Sequence, residues 1–272
     1  MWRIWLTCFL LTLVVWAKPV QFVRMNDKTF DTAVTRYQRG PLRVDLVAVV
    51  HVGEAAYYQR LNQLFRGYDV VLYELIAQPP GDPNREELYD LVGMKAPKSN
   101  PVPHAGDTSN AFLRELASQL DLEFQLDWID YQADNFLHAD ITPAQLSKLL
   151  GKKKAKPQEI LKQLLDGLKH PSTINQVDLL GLYTGPPNPA GQKRLRRFLG
   201  QVLLEPDAFD KAVHGNETNA YIFKRNAKAL KVLQSELAGG RRKVAIFYGA
   251  AHMPDLARHL EKDFHFQRRS QD

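Results

Sequence analysis

"LVAVVHVGEAAYYQRLNQLFRGYDVVLYEL", residues 46–75, holds two apolar runs that each end on an ionisable residue: VAVV meets His51 and VVLY meets Glu74. Taking an unpaired charge or an unsatisfied imidazole out of water is costly. A chain that does so twice must offset that cost, and a polar site shared by both residues would do it. Between the runs, Tyr57, Leu61, Leu64 and Phe65 are spaced to share one face of a helix. Residues 44–75 therefore read as strand, helix, strand, with a crossover whose length suits parallel neighbouring strands.

The same pattern returns in "GGRRKVAIFYGAAHMPDLARHL", residues 239–260. A glycine pair ends a long helix, VAIFY reads as a buried strand, and Gly249, Ala250 and Ala251 lead to His252 just before another helix. In open parallel sheets ligands bind beyond the carboxyl ends of the strands, and neighbouring strands lie only ~4.8 Å apart. His51, Glu74 and His252 are accordingly expected to converge. The long helix, "TNAYIFKRNAKALKVLQSEL", carries an apolar stripe of Ile222, Leu230, Leu233 and Leu237. Asn226 falls within that stripe, Asn219 lies on the same face seven residues earlier, and Arg225 can reach the same edge. A core-facing amide needs partners.

The rest of the chain frames this core. "VQFVRM" and "TAVTRYQ" flank "NDKTF" and read as a short antiparallel pair ahead of "RVDLVAVV". From about 79 to 215 the sequence reads as a largely helical and irregular insertion rich in Pro, Gly and Lys. It contains a helix at "AFLRELASQL", a strand candidate at "EFQLDWIDY", and a helix start at Thr142, Pro143, Ala144 and Gln145 with the hydroxyl and glutamine of a capping box. The expected fold is a single α/β domain over 18–272, with a mostly parallel central sheet built from β-α-β units and antiparallel strands at its N-terminus.

Composition sets limits on function. A hydrophobic fraction of 44% and a charged fraction of 24% are ordinary for a folded chain and argue against wholesale disorder or a polytopic membrane protein. Residues 1–17 have Arg3, an apolar run from Ile4 to Trp16 and small Ala17, the order of a signal peptide cleaved after Ala17. An uncleaved anchor is the alternative, although the run is shorter than the ~20 residues of a spanning helix. Either places the protein outside the cytoplasm, periplasmic or secreted. The one cysteine, Cys8, lies in this leader, so a mature chain uses no disulfide or thiolate, and any metal must be held by His, Asp or Glu. The net charge of +6 comes from clusters at 151–157, 192–198, 239–243 and 267–271 without interleaved aromatics. That argues against a nucleic-acid reading and leaves solvated surface, or attraction to acidic substrates or to anionic headgroups at a membrane periphery.

"VDLVAVVHVGEAAYYQRLNQLFRGYDVVLYEL", "IDYQADNFLHAD", "KRN" and "YGAAHMPDL" together resemble the TraB/PrgY family, within the group that includes Tiki Wnt proteases, erythromycin esterases and haem-binding ChaN proteins. The likeness spans most of residues 20–260 and is loose in the middle. The group's two GxxH motifs, the glutamate after the first and the arginine in the helix before the second correspond to His51, Glu74, Arg225 and His252. The first motif departs from the pattern, reading Ala48, Val49, Val50, His51, and a methyl at 48 is expected to narrow the pocket. The resemblance implies an extracytoplasmic hydrolase acting on a peptide or small ester, metal-assisted in the Tiki-like members, while other members bind without cleaving.

The residue chemistry is compatible with that implication. Two histidines and a glutamate make a first-row metal site plausible, accepting Zn, Mn, Fe or Co. Glu74 is a ligand or the general base, and Arg225 stabilises a developing oxyanion, with Asn226 in the same machinery. A metal-free form has Glu74 orienting a histidine that activates water. His138, Asp140, Tyr131 and Asn135 are further candidates, His138 and Asp140 having a turn and helix-capping role as their alternative. In a binding module, the same histidines would ligate haem or the pocket would sequester a peptide.

Overall fold

The computed structural model describes residues 21–25, 30–77, 108–150, 189–204 and 218–272. Its strands are β1 (Val23–Met25), β2 (Phe30–Thr32), β3 (Val34–Arg39), β4 (Leu42–Val49), β5 (Val52–Gly53), β6 (Val70–Tyr73), β7 (Glu123–Phe124), β8 (Phe136–His138), β9 (Lys243–Gly249) and β10 (Gln267–Gln271). The helices are α1 (Ala55–Phe65), α2 (Thr108–Gln119), α3 (Gln125–Trp128), α4 (Pro143–Leu150), α5 (Pro189–Leu204), α6 (Thr218–Ala238) and α7 (Met253–Lys262). The leader and its cleavage point lie outside the described residues, as does much of the 79–215 insertion.

Six strands form one sheet in the order β10-β3-β4-β9-β6-β8. β4, β9, β6 and β8 run parallel, while β3 is antiparallel to both β4 and β10. The fold is thus the mixed α/β architecture read from the sequence. Leu46, Val47, Ala48 and Val49 of β4 and Val244 to Tyr248 of β9 are buried without alternation. Such runs belong in the middle of a parallel sheet with helices on both faces. On one face α6 contributes Ala229, Leu230 and Leu233, and α7 contributes Met253, Leu256 and Leu260, packed on Leu46, Leu72 and Ile246. On the other, Tyr58, Leu61 and Phe65 of α1 pack on Val47, Val71, Tyr73 and Phe247. The polar strand β10, "QRRSQ", lies at an edge, where charged side chains discourage pairing with another chain.

Several local expectations are corrected. The N-terminal antiparallel pair is β1 with β2, whereas "TAVTRYQ" forms most of β3 and joins the main sheet through a tight turn at Gly40, φ +56°. Glycine takes that left-handed conformation without strain. β4 and β6 are parallel but not neighbours, because β9 lies between them. Tyr58, rather than Tyr57, is the fully buried tyrosine of α1. "EFQLDWIDY" is only a two-residue strand, β7 paired with β5, that turns at once into α3. "FLH" is β8, so the turn that was one alternative for His138 is not formed there. The capping box holds: Gln145 Oε1 accepts from Thr142 N at 2.9 Å and Thr142 Oγ1 accepts from Gln145 N at 3.3 Å. Gly240 ends the long helix α6 at φ +94°.

Candidate active site at the carboxyl ends of the strands

His51 lies two residues past β4, Glu74 directly follows β6, and His252 closes a 3-10 turn, Ala250–His252, after β9. With β9 inserted between β4 and β6, its last residue faces the continuations of both. A Cβ placed on Gly249 would lie 3.2 Å from Glu74 Oε2, 3.7 Å from His51 Nε2 and 3.8 Å from His252 Cδ2. Three ionisable side chains from three strand ends therefore meet around one point, and glycine leaves room for them. The register makes this possible: Val49 of β4 is level with Gly249, and Tyr73 of β6 with Phe247.

Arg225 enters from α6 and holds the carboxylates. Its Nε donates to Asp140 Oδ1 at 2.9 Å, and its Nη2 lies 2.5 Å from Asp140 Oδ2 and 2.6 Å from Glu74 Oε1. The guanidinium is 5% exposed and Asp140 fully buried, so the ion pairs lie largely out of water. Glu74 Oε2 also accepts from the backbone N–H of Gly249 at 2.5 Å. Burial by itself would raise the pKa of Glu74. The charge of Arg225, the largest opposing influence, with the His252 ring adding to it whenever that ring is protonated, overcomes this and holds the carboxyl well below its usual range.

Each histidine is gripped at Nδ1 by a side-chain amide. His252 Nδ1 donates to Asn226 Oδ1 at 2.7 Å, while Asn226 Nδ2 donates to His252 O at 3.2 Å and to Asp255 Oδ2 at 2.9 Å. Both of those oxygens can only accept, which leaves Oδ1 for the ring. His252 Nε2 then carries a lone pair, 3.5 Å from Glu74 Oε1 and 3.4 Å from Arg225 Nη1. His51 is exposed at the rim, and its Nδ1 lies 2.9 Å from Gln125 Oε1. Gln125, missed in the sequence, is 3% exposed and donates from Nε2 to the Tyr131 hydroxyl at 2.7 Å. A buried glutamine just after a strand was the available signal, obscured because "EFQLDWIDY" reads as continuous strand.

The other candidates separate. Asp140 touches Arg225 directly and accepts from the Ile141 N–H at 2.7 Å, which makes it the anchor of the guanidinium. His138, at the end of β8, donates from Nε2 to Leu75 O at 2.5 Å. Burial first, partly opposed by that carbonyl and Asp140, pushes its pKa down. It ties β8 to the segment after Glu74. Tyr131 touches the site through Gln125, and burial drives its phenol pKa far up, so it stays a neutral hydroxyl. Asn135 belongs elsewhere: its Nδ2 donates to Phe65 O and Tyr68 O at the end of α1. Asn219 lies on α6, with its side chain outside the described residues. The Ala48 methyl does not narrow the pocket, because it packs with Leu46, Leu72 and Tyr248 in the apolar layer beneath α6 and α7.

The donor chemistry of two imidazole nitrogens and a carboxylate matches a divalent ion. Among the described residues, however, no three His, Asp or Glu side chains are gathered as ligands, Glu74 being turned to Arg225 and Gly249. No helix among the described residues is long and apolar enough to cross a membrane. In comparisons with protein-family models, curated proteins and solved structures, nothing matches this chain.

Proposed function

We propose that this chain is an extracytoplasmic hydrolase of the TraB/PrgY type, cleaving a peptide or small ester with water activated at His252, Glu74 and His51. The observation that carries the reading is the pair of amide-held imidazoles, both with Nδ1 at a carboxamide oxygen, His252 Nε2 lying 3.5 Å from Glu74 Oε1 and His51 Nε2 meeting the same carboxylate's surroundings at Gly249. A carboxylate kept as strongly ionised as Glu74 is a poor proton acceptor, so the accepting atom is His252 Nε2. Glu74, 3.5 Å away, compensates the positive charge that appears on that ring. Asn226 holds the ring through the transfer, and Arg225 Nη1 flanks the same nitrogen, placed to stabilise negative charge on a carbonyl oxygen attacked there. His51, at the exposed rim, meets the substrate first.

A divalent ion, if resident, would be held by His51 Nε2 and His252 Nε2 and would supply Lewis acidity, lowering the pKa of a bound water. The alternative is a non-catalytic pocket that ligates haem through the same histidines or sequesters a peptide. The basic clusters keep peripheral attraction to anionic headgroups as part of the proposal.

The test is metal content and hydrolysis of a panel of activated esters and peptides, compared for the wild type and for His51→Ala, Glu74→Ala and His252→Ala. All three variants should lose the same activity, and doubles should be little worse than singles, since groups acting as a unit are non-additive. Additive, independent losses would argue for separate sites. Stoichiometric haem uptake without hydrolysis would replace the reading with the binding one.

A further inference from the structure

Gln125 grips His51 at two places. Its backbone N–H donates to His51 O at 2.9 Å, and its side-chain Oε1 meets His51 Nδ1 at 2.9 Å. His51 is exposed as a residue and lies just past a strand end. Gln125 is 3% exposed, and burying an amide is costly unless its donor and acceptor are both used. Here both are, the Nε2 going to the Tyr131 hydroxyl at 2.7 Å. Asn226 does the same for His252 from a different element. Two amides, 74 and 26 residues from their histidines in sequence, thus meet the same ring atom in each.

We infer that Gln125 is a positioning residue of this site: it holds His51 as the tautomer protonated on Nδ1, so that Nε2 faces Glu74 and Gly249 as a bare lone pair. The partner at one imidazole nitrogen decides what the other can do. An imidazole without such a partner in water prefers its proton on Nε2. In that state His51 would turn an N–H toward the site, able neither to accept a proton nor to ligate an ion.

The experiment is nitrogen NMR on the full chain labelled with 15N-histidine, with chelator present and the rings neutral, His51 being assigned by its loss in His51→Ala. In the wild type the proton of His51 should sit on Nδ1. Gln125→Leu, similar in size but without an acceptor, should move it to Nε2 in most molecules. Gln125→Glu should keep it on Nδ1, because the carboxylate accepts from the ring and from the Tyr131 O–H, which can rotate to donate. On the hydrolase reading, on which this arm rests, Gln125→Leu loses about 10- to 100-fold in turnover and Gln125→Glu restores most of it. A wild-type His51 protonated on Nε2, or a tautomer unchanged by Gln125→Leu, overturns the inference. The wild-type spectrum decides even if Gln125→Leu does not fold. A wild type with the Nδ1 proton but no hydrolysis overturns the proposed function and leaves the role of Gln125 standing.

Discussion

Replacing Arg225 by methionine tests the electrostatic frame of the site. Methionine keeps an unbranched apolar stem within α6 and removes the guanidinium that pairs with both Asp140 and Glu74. Those carboxylates are 0% and 10% exposed, so neither can recover its solvation without disrupting the packing around it. Removing one partner of a buried ion pair costs about 3–5 kcal/mol. At about pH 7 the variant should show that loss in denaturant unfolding followed by circular dichroism. The sign of its pH dependence follows from Glu74. In the wild type its pKa is depressed below 4.5, so its ionised form stabilises the native state above pH 4.5, and that contribution is lost as pH falls through the native pKa. In the variant, burial acts without its main opponent and raises the pKa of Glu74. The buried charge is then a burden that protonation relieves as pH falls. The stability gap between wild type and variant should therefore narrow from about pH 7 to pH 4.5. Adding Glu74→Gln to Arg225→Met should return part of the stability at neutral pH, since a neutral amide replaces the stranded charge. A deficit below about 1 kcal/mol, or one that stays constant across this range, would refute the reasoning.

Asn226→Leu preserves the apolar stripe but strands His252 Nδ1 and takes the amide donor from Asp255 Oδ2, whose other oxygen keeps Arg258, so it should cost about 1–3 kcal/mol in unfolding free energy. Turnover should fall far more than that stability loss explains, and full activity in this variant would remove α6 from the site. Gly249→Ala puts a methyl 3.2 Å from Glu74 Oε2 among the three converging side chains. It should fold with a modest loss, seen in thermal melts, while kcat/KM drops at least about tenfold, or 1.4 kcal/mol in barrier. Asp45→Asn is the control: Asp45 bonds Arg43 and the Tyr68 hydroxyl near the start of β4, away from the site. It should lower stability by about 1–3 kcal/mol and leave kcat and KM for a hydrolysed ester unchanged.

The individual elements were legible in the sequence because their signals are local. Continuous apolar runs marked β4, β6 and β9 as buried strands, and helical spacing marked α1 and α6. The hydroxyl and amide at Thr142 and Gln145 marked the start of α4. The polar residues that should stand at the strand ends, His51, Glu74 and His252, were visible by the same logic, as was the anomaly of Asn226 in an apolar stripe. Tertiary structure alone decided which strands are neighbours. An apolar run shows that a strand needs partners on both edges and helices on both faces, but not which partners. The insertion of β9 between β4 and β6, from nearly two hundred residues away, is what brings His252 between His51 and Glu74. Gln125 was illegible for the same reason: its meaning lies in a hydrogen bond to a ring 74 residues earlier, and no local spacing encodes it. Asp140 and His138, two residues apart in sequence and alike as candidates, took different roles once β8 paired with β6. One then faced the guanidinium and the other a backbone carbonyl, because hydrogen-bond partners across a sheet are set by strand order and register, which only the folded chain possesses.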